Sequence, residues 1–184
     1  MSVRVALIVG SLREGSYSRA IGLEMKALAA PGLEVELVEI GDLPLYNPDL
    51  DTDAPPAAWA RFRAEMAGVQ AVLFVTPEYN RSIPGALKNA LDVGSRPYGH
   101  SIWSGKPAAI VSVSPGALAA FGANHHLRQP LVFLNMPTMT QPEAYLGGVA
   151  DLLDEHGKLK NEGTRDFLKG FTDAFAGWIE KTRG

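Results

Sequence analysis

A turn rich in hydroxyl groups follows the first apolar run of the sequence and could hold an anion. The run covers residues 3–10, and the turn behind Gly10 contains Arg13 and three serines before a helical pattern begins. The N–H groups and dipole of a helix start, together with hydroxyl groups and a guanidinium, suit a phosphate dianion. The alternative is a capped turn with Arg13 in solvent. The hydroxyl groups belong to Ser11, Ser16 and Ser18.

This turn matches neither of the common nucleotide-binding loops. The dinucleotide loop needs glycine two residues after Gly10, where the sequence has Leu12. The Walker loop needs lysine and then a hydroxyl residue after Gly15, where Ser16 and Tyr17 stand. A nucleoside triphosphatase is therefore disfavoured, and a ligand that ends in a monophosphate fits better.

Two further apolar runs, 71–76 and 108–114, also end in turns suited to a ligand. Residues 76–85 place Tyr79 and several polar residues between two prolines, which restrict the backbone. Such a loop suits a flat ring with polar edges, although proline-bounded surface loops without a ligand are common. Residues 112–116 are small and would let a ligand approach the backbone, which is a weak signal by itself.

The three turns follow strands of a predicted parallel sheet, because unbroken apolar runs are typical of strands covered on both faces. Strands that alternate with helices predict a single domain, 1–184, with an α/β three-layer sandwich and right-handed crossovers. Ligands bind such sheets at the carboxyl ends of the strands, where the three turns would meet. The predicted strands are 3–10, 34–40, 71–76, 108–114 and, more weakly, 131–139; the predicted helices are 18–30, 55–68, 86–93 and a closing helix that contains Phe167, Phe171, Phe175 and Trp178.

The composition excludes several classes of protein. The chain has 184 residues, of which 46% are hydrophobic and 20% charged, as in ordinary globular domains. It has no cysteine, so disulfides, thiolate catalysis and iron–sulfur clusters are excluded and redox chemistry needs a bound cofactor. A net charge of -3 gives no electrostatic footprint for nucleic acid or an anionic membrane. Neither a membrane-spanning run nor a signal-peptide pattern is present, so we expect a cytoplasmic protein.

The turns resemble those of a known family, the NADPH-dependent FMN reductases, which include bacterial quinone and chromate reductases. The similarity is most specific in residues 10–13 with Gly15 and Ser16, and in residues 76–80 with Ser82. It covers nearly the whole chain. It implies a flavodoxin-like fold with a five-stranded parallel sheet in the order 2-1-3-4-5, bound FMN, and NADPH or NADH as reductant. It also implies an oligomer of dimers, hence a homodimer or homotetramer.

The resemblance further implies which residues hold the FMN. The first turn would bind the phosphate with Tyr17 beside the ribityl chain, and the other two turns would border the isoalloxazine ring. Backbone N–H groups of residues 78–81 would face that ring. No catalytic side chain and no metal ligand are implied, because the flavin performs the hydride chemistry. The implied FMN-binding residues are Ser11, Arg13, Ser16, Tyr17, Ser18, Pro77, Glu78, Tyr79, Asn80, Arg81, Ser114 and Gly116.

Two departures from the family pattern affect oligomer contacts and recognition of the pyridine nucleotide. Family members often have paired glycines where this chain has Ala119 and Ala120, and often an aromatic residue at the position of Arg81. Apart from the flavin loops, Arg81 and Asn124 are the main polar candidates to face a substrate. Few fixed polar groups predict loose acceptor specificity.

An interface between copies is expected near the flavin. Residues 79–81, the helix 84–95 and the loop 96–104 would form it, with Tyr98 and Trp103 in that loop as apolar area.

The expected function is an FMN-dependent NAD(P)H oxidoreductase that reduces a small electron acceptor, namely quinones, chromate, azo compounds or free flavin, with ping-pong kinetics. The main alternative is a flavodoxin-type electron carrier without a nicotinamide site, which the mild net charge disfavours; a flavin-free module that kept the fold is a third.

Adjacent His125 and His126 on a predicted helix point apart, which argues against a shared metal. A serine hydrolase lacks its nucleophile turn here.

Overall fold

Five parallel strands form one sheet at the centre of the protein. The structure, a computed structural model, describes residues 2–183. The strands are β1 (Val3–Val9), β2 (Leu33–Leu37), β3 (Ala71–Thr76), β4 (Ala108–Val113) and β5 (Ala144–Leu146). Their order is β2-β1-β3-β4-β5, and every neighbouring pair is parallel. The sheet order that the family resemblance implies is therefore confirmed.

Helices cover both faces of this sheet, as the alternating sequence pattern predicts. They are α1 (Tyr17–Ala27), α2 (Ala57–Ala67), α3 (Gly85–Gly94), α4 (Phe121–Phe133), α5 (Val149–Leu152) and α6 (Glu162–Thr182). Helices α1 and α6 pack on one face, and α2, α3 and α4 pack on the other. Within residues 2–183, no helix is both long enough and apolar enough to cross a membrane.

Strand β1 shows why the apolar runs located the sheet. Its side chains alternate between the layers: Leu7 packs with α1 and α6, whereas Ile8 packs with α2 and α3. Both are fully buried. A strand covered on both faces has no polar side, so β1 is apolar throughout its buried part, residues 5–9, and only exposed Arg4 near its start is polar. Strand β3 is likewise buried at every position.

The fifth strand lies elsewhere than predicted. Residues 131–133 form the last turn of α4, and only Thr138 of the predicted segment pairs with the sheet, through an isolated bridge to Ala108. The run was misleading because its apolar residues do not all face the core: Val132 and Phe133 are 77% and 80% exposed. The true fifth strand is three residues long and too short to give a pattern.

The loop that precedes β4 contradicts another expectation. A loop before a parallel strand lies at the amino edge of the sheet, opposite the edge where the three ligand turns meet, so residues 96–104 are not near the expected flavin site. Trp103 is fully buried and donates a hydrogen bond from Nε1 to the Leu91 carbonyl oxygen at 3.0 Å. It therefore offers no apolar surface, whereas Tyr98 is 88% exposed.

Candidate functional site

A cleft of about 280 Å³ opens at the carboxyl edge of the sheet, between the loops that follow β1, β3 and β4. Strands β1 and β3 are neighbours where the order of the sheet reverses, which is the position at which doubly wound α/β sheets bind ligands. The residues that line the cleft are Ser11, Arg13, Ser16, Tyr17, Ser18, Pro77, Glu78, Tyr79, Val113, Ser114 and Pro115.

The start of α1 forms one end of the cleft. Ser16 caps this helix: its Oγ accepts a hydrogen bond from the Arg19 N–H at 3.2 Å. The first N–H groups of a helix have no acceptor within the helix, so α1 presents donors and the positive end of its dipole here. Gly15 has a φ of +64°, a backbone conformation that glycine adopts without strain and that lets the loop turn into α1.

Arg13 folds back over the loop to which it belongs. Its Nη2 donates a hydrogen bond to the Gly15 carbonyl oxygen at 2.9 Å, and its guanidinium carbon lies 5.3 Å from the centre of the Tyr17 ring. Among the described residues it forms no salt bridge. This end of the cleft therefore combines hydroxyl groups, helix N–H groups and an unneutralised positive charge.

The opposite end contains a tight turn after β3. The Tyr79 N–H donates to the Ser82 carbonyl oxygen at 2.9 Å, and the Ser82 N–H donates back at 3.0 Å. Asn80 and Arg81 between them have φ values of 52° and 67°, as a two-residue turn of type I′ requires. The expectation that the whole 78–81 backbone faces a ring is thus too broad, because the Tyr79 N–H is used within the turn. The N–H groups of Glu78, Asn80 and Arg81 form no hydrogen bond in the part of the chain described.

The Glu78 side chain points toward α4. Its Oε2 accepts a hydrogen bond from the Ala123 N–H at 3.0 Å, and its Oε1 accepts one from Arg81 Nη1 at 3.2 Å. The side chain is only 13% exposed. Both carboxylate oxygens therefore have protein partners.

The loop after β4 contains two alanines in a backbone conformation that suits glycine better. Ala119 and Ala120 have φ values of 51° and 58°, in the left-handed region that glycine adopts at little cost. Glycine at these two positions would adopt the same backbone with less strain. The Ser112 hydroxyl, fully buried, donates to the Ala119 carbonyl oxygen at 2.8 Å and holds the loop in place.

Asn124 does not face a substrate, contrary to expectation. It is fully buried, and its Nδ2 donates to Ser112 Oγ at 3.4 Å while its Oδ1 accepts from Arg128 Nε at 3.3 Å. From the sequence alone, a polar residue that faces a substrate cannot be distinguished from a polar residue that is buried and hydrogen-bonded beneath a loop.

The two histidines point in different directions. His125 Nε2 lies 3.1 Å from the Tyr145 hydroxyl, and His126 Nδ1 lies 3.0 Å from Ser82 Oγ. Burial raises the pKa of Tyr145 to about 12, so its hydroxyl stays protonated at neutral pH. In the described part of the chain, no three His, Asp or Glu residues are grouped to hold a metal ion.

Most of the residues predicted for FMN line this one cleft, but Asn80, Arg81 and Gly116 do not. Asn80 and Arg81 are exposed at the tip of their turn, and Gly116 donates its N–H to Ser114 Oγ at 3.0 Å. Val113 and Pro115 line the cleft and were missed, although both are direct neighbours of Ser114. The roles of all these residues toward FMN stay predictions.

The chemistry of the cleft fits flavin mononucleotide. Donors and a free positive charge at one end suit a phosphate, and proline-bounded walls with Tyr79 at the other suit a flat ring with polar edges. The fold defines a flavodoxin-like protein, and the cleft has the chemistry that FMN needs.

Comparisons with known proteins give the family. Residues 3–151 match the family described as NADPH-dependent FMN reductase. A quinone reductase from Pseudomonas putida is 61% identical over 179 residues, 97% of this chain and 96% of the relative. A 2-hydroxy-1,4-benzoquinone reductase from a Burkholderia species is 42% identical over 183 residues, with 100% of both chains covered. The solved structure of the flavoenzyme NAD(P)H:(acceptor) oxidoreductase FerB from Paracoccus denitrificans superposes with a TM-score of 0.91 at 44% identity, covering 98% of each chain.

The chain belongs to the NADPH-dependent FMN reductase family. The expected enzyme class, an NAD(P)H-dependent oxidoreductase that uses FMN, is thereby confirmed, and nothing favours the flavodoxin-type carrier.

Proposed function

We propose that this protein uses FMN, bound in the cleft at the carboxyl edge of the sheet, to pass electrons from NAD(P)H to quinones. Chromate, azo compounds and free flavin are further acceptors of the same kind. The observation that carries the proposal is the meeting of a hydroxyl-rich, arginine-bearing turn with two other loops in a single cleft. The names of the relatives from Pseudomonas putida and Burkholderia support the quinone as acceptor.

The residues around α1 would bind the phosphate of FMN. Arg13 supplies charge-assisted hydrogen bonds, which are stronger than neutral ones. Ser11, Ser16 and Ser18 supply hydroxyl donors, and the first N–H groups of α1 add the helix dipole. Tyr17 lies between this end and the ring end and would contact the ribityl chain.

The two loops at the other end would border the isoalloxazine ring. The ring would lie against Tyr79 and the prolines. Its polar edge would face the N–H group of Glu78, which lines the cleft, and those of Asn80 and Arg81 at the tip of the turn beside it. Ser114 and its neighbours would close the third side. When bound, FMN supplies the hydride chemistry, and the protein binds and orients it. No side chain need act as general acid or base.

Acceptor choice would depend mainly on stacking area and redox potential. A site rejects wrong substrates with fixed polar groups that would be left unpaired. Asn124 is buried beneath the loop after β4, and Arg81 is 72% exposed although it pairs with Glu78, so Arg81 is the main polar group left to face an acceptor. We therefore propose ping-pong turnover with loose specificity, in which the acceptor takes the place of the nicotinamide.

The purified protein tests these proposals directly. Its absorption spectrum should be that of a flavoprotein, and denaturation should release FMN rather than FAD.

Steady-state plots of NADPH or NADH against benzoquinone should give parallel lines. Several unrelated quinones should react within about tenfold in kcat/KM, or about 1.4 kcal/mol. Absence of flavin uptake on titration would refute the cofactor assignment, and intersecting lines would replace ping-pong turnover with a ternary complex.

A second copy of this chain is the proposed partner, as a homodimer or homotetramer. Tyr98 and Phe133 line one shallow groove at 88% and 80% exposure, and Val132 beside them is 77% exposed. Contiguous exposed apolar residues of this kind mark interaction surfaces. Sedimentation should show an oligomer that Phe133→Asp dissociates, whereas Leu45→Asp, at a site 78% exposed on another loop, should leave it intact. A wild-type monomer at micromolar concentration contradicts the proposal.

The cytoplasmic location stays a prediction from the sequence.

A further inference from the structure

The start of α4 lacks a capping side chain of its own. The residue at its N-cap is Ala120, which cannot accept a hydrogen bond through its side chain. The acceptor for the Ala123 N–H, in the first turn of the helix, is instead Glu78 Oε2, which comes from the loop after β3. A carboxylate at this position also interacts favourably with the helix dipole. Glu78 therefore belongs to the loop after β3, yet its side chain caps α4, the helix that follows β4.

Two more contacts join the same loop to the same face of α4. A Cβ atom placed on Gly122 would lie 2.8 Å from Glu78 Oε2 and 3.0 Å from the Arg81 carbonyl oxygen, so loop and helix are in van der Waals contact without room for a methyl group. One turn further along α4, His126 Nδ1 lies 3.0 Å from Ser82 Oγ. The tight turn is thus held against α4 at three successive places.

The turn needs this support because its conformation is strained. Arg81 has a φ of 67°, in the left-handed region, where the Cβ of a non-glycine residue crowds the backbone. The same turn carries the N–H groups of Asn80 and Arg81. Their direction depends on a backbone that would relax if the loop were released.

We propose that Glu78 is a positioning residue, whose carboxylate ties the turn after β3 to the first turn of α4 and so fixes the N–H donors of that turn at the flavin site. This rests on the proposed function. Direct contact between the Glu78 carboxylate and the ring is disfavoured, because both oxygens already have partners and the side chain is 13% exposed. What matters is the reach of the acceptor to Ala123, not its charge.

Two substitutions separate reach from charge. Glu78→Asp keeps the charge but is one methylene too short to reach the Ala123 N–H in the same backbone position. Glu78→Gln loses the charge and the ion pair with Arg81 but keeps an acceptor oxygen at the same distance. If the carboxylate positions the loop, Asp should be the damaging substitution and Gln the tolerated one. Gly122→Ala disturbs the same contact independently, and Asp173→Asn, which breaks an exposed ion pair with Lys169 on α6, is the control.

The first measurement uses the apoprotein and needs no flavin. Amide hydrogen exchange at Ala123, Tyr79 and Ser82, whose N–H groups are hydrogen-bonded in the wild-type protein, should be roughly tenfold faster in Glu78→Asp, the effect expected for loss of a hydrogen bond. Gly122→Ala should accelerate exchange at the same residues. Glu78→Gln and Asp173→Asn should stay near wild type. Unchanged exchange in Glu78→Asp, or equally fast exchange in Glu78→Gln, overturns the proposal.

The second measurement uses the FMN-loaded protein. In Glu78→Asp the midpoint potential of the flavin should become more negative, because donors that stabilise its reduced, anionic form are less well placed. The FMN dissociation constant should change much less than the potential, since the phosphate end is untouched. A potential that shifts in Glu78→Gln but not in Glu78→Asp assigns the effect to charge and overturns the proposal. If the wild-type protein takes up no FMN, the proposed function fails, while the exchange result still decides whether Glu78 couples loop and helix.

Discussion

The two ends of the cleft are built in different ways. The end proposed to hold the phosphate, called the phosphate end, comes from one continuous segment, residues 10–18, in which Gly15 occupies the position with positive φ and Ser16 caps the helix that follows. The end proposed to hold the ring, called the ring end, comes from two loops far apart in sequence, with Asn80, Arg81, Ala119 and Ala120 all in the left-handed region. Its helix α4 is capped by a residue of the other loop.

The difference shows where the conformation of each end is stabilised. At the phosphate end, local residue preferences already favour the observed turn, so binding groups and folding signals coincide. At the ring end, local preferences oppose the observed conformation at Arg81, Ala119 and Ala120, and tertiary contacts through Glu78 and Ser112 maintain it. Substitutions at the first end should therefore change ligand affinity, and those at the second should change stability and loop order.

The largest expected effect is at the phosphate end. Arg13→Ala should weaken FMN binding by about 1.5 to 3 kcal/mol, the usual value of a hydrogen bond to a charged group. This corresponds to roughly a 10- to 150-fold rise in Kd, measured by titration of the apoprotein with FMN. Because Arg13 contacts only its own loop, the fold should survive. Arg4→Ala, at the amino edge of the sheet, is the matched control and should leave Kd unchanged; an unchanged Kd in Arg13→Ala would mean that this guanidinium does not meet the phosphate.

A smaller, double effect is expected at Ser16, because one hydroxyl serves both the helix and the ligand. Ser16→Ala should lower the free energy of unfolding by about 1 kcal/mol, the cost of a lost N-cap. It should also weaken FMN binding about fivefold through loss of one donor. The comparison variant is Asn161→Ala, which removes the N-cap of α6, where the side chain accepts from the Thr164 N–H at 2.7 Å. It should cost similar stability in chemical denaturation with no change in FMN affinity, and equal loss of affinity in both variants would disprove the dual role.

The smallest effect tests the strain at the ring end and has the opposite sign. Ala119→Gly and Ala120→Gly should each stabilise the apoprotein by about 0.5 to 1 kcal/mol, because relief of the left-handed strain exceeds the extra chain entropy of glycine. The melting temperature should rise by about 1 to 4 °C. The same substitution in the middle of α6, Ala176→Gly, should instead destabilise by about 0.5 to 1 kcal/mol. A drop in melting temperature in both loop variants would show that the strain assigned to them is absent.

Much of the fold and of the cleft could be predicted from the sequence. Strands β3 and β4, and β1 from Val5 onward, were found because they are covered on both faces and their apolar runs are uninterrupted. Strand β2 lies at the edge of the sheet and was found although exposed Glu34 and Glu36 alternate with its apolar residues. The turn at residues 10–18 was found because hydroxyls, arginine and a helix start are adjacent in the chain. The fifth strand was missed because β5 has three residues, and because an apolar run near the end of α4 mixes a buried Leu131 with exposed Val132 and Phe133.

The sequence by itself determined the class of the sheet and the turn at residues 10–18 that leads into α1, since these depend on preferences and contacts within a few residues. Only the tertiary structure decided that Glu78 caps α4, that Asn124 supports a loop instead of facing a substrate, and that Trp103 fills the core. Each of these assignments joins residues between 12 and 45 positions apart. Such partners meet only when helices pack on the sheet. A short segment of sequence shows no pattern that distinguishes a polar or aromatic residue buried by a distant element from one that stays exposed.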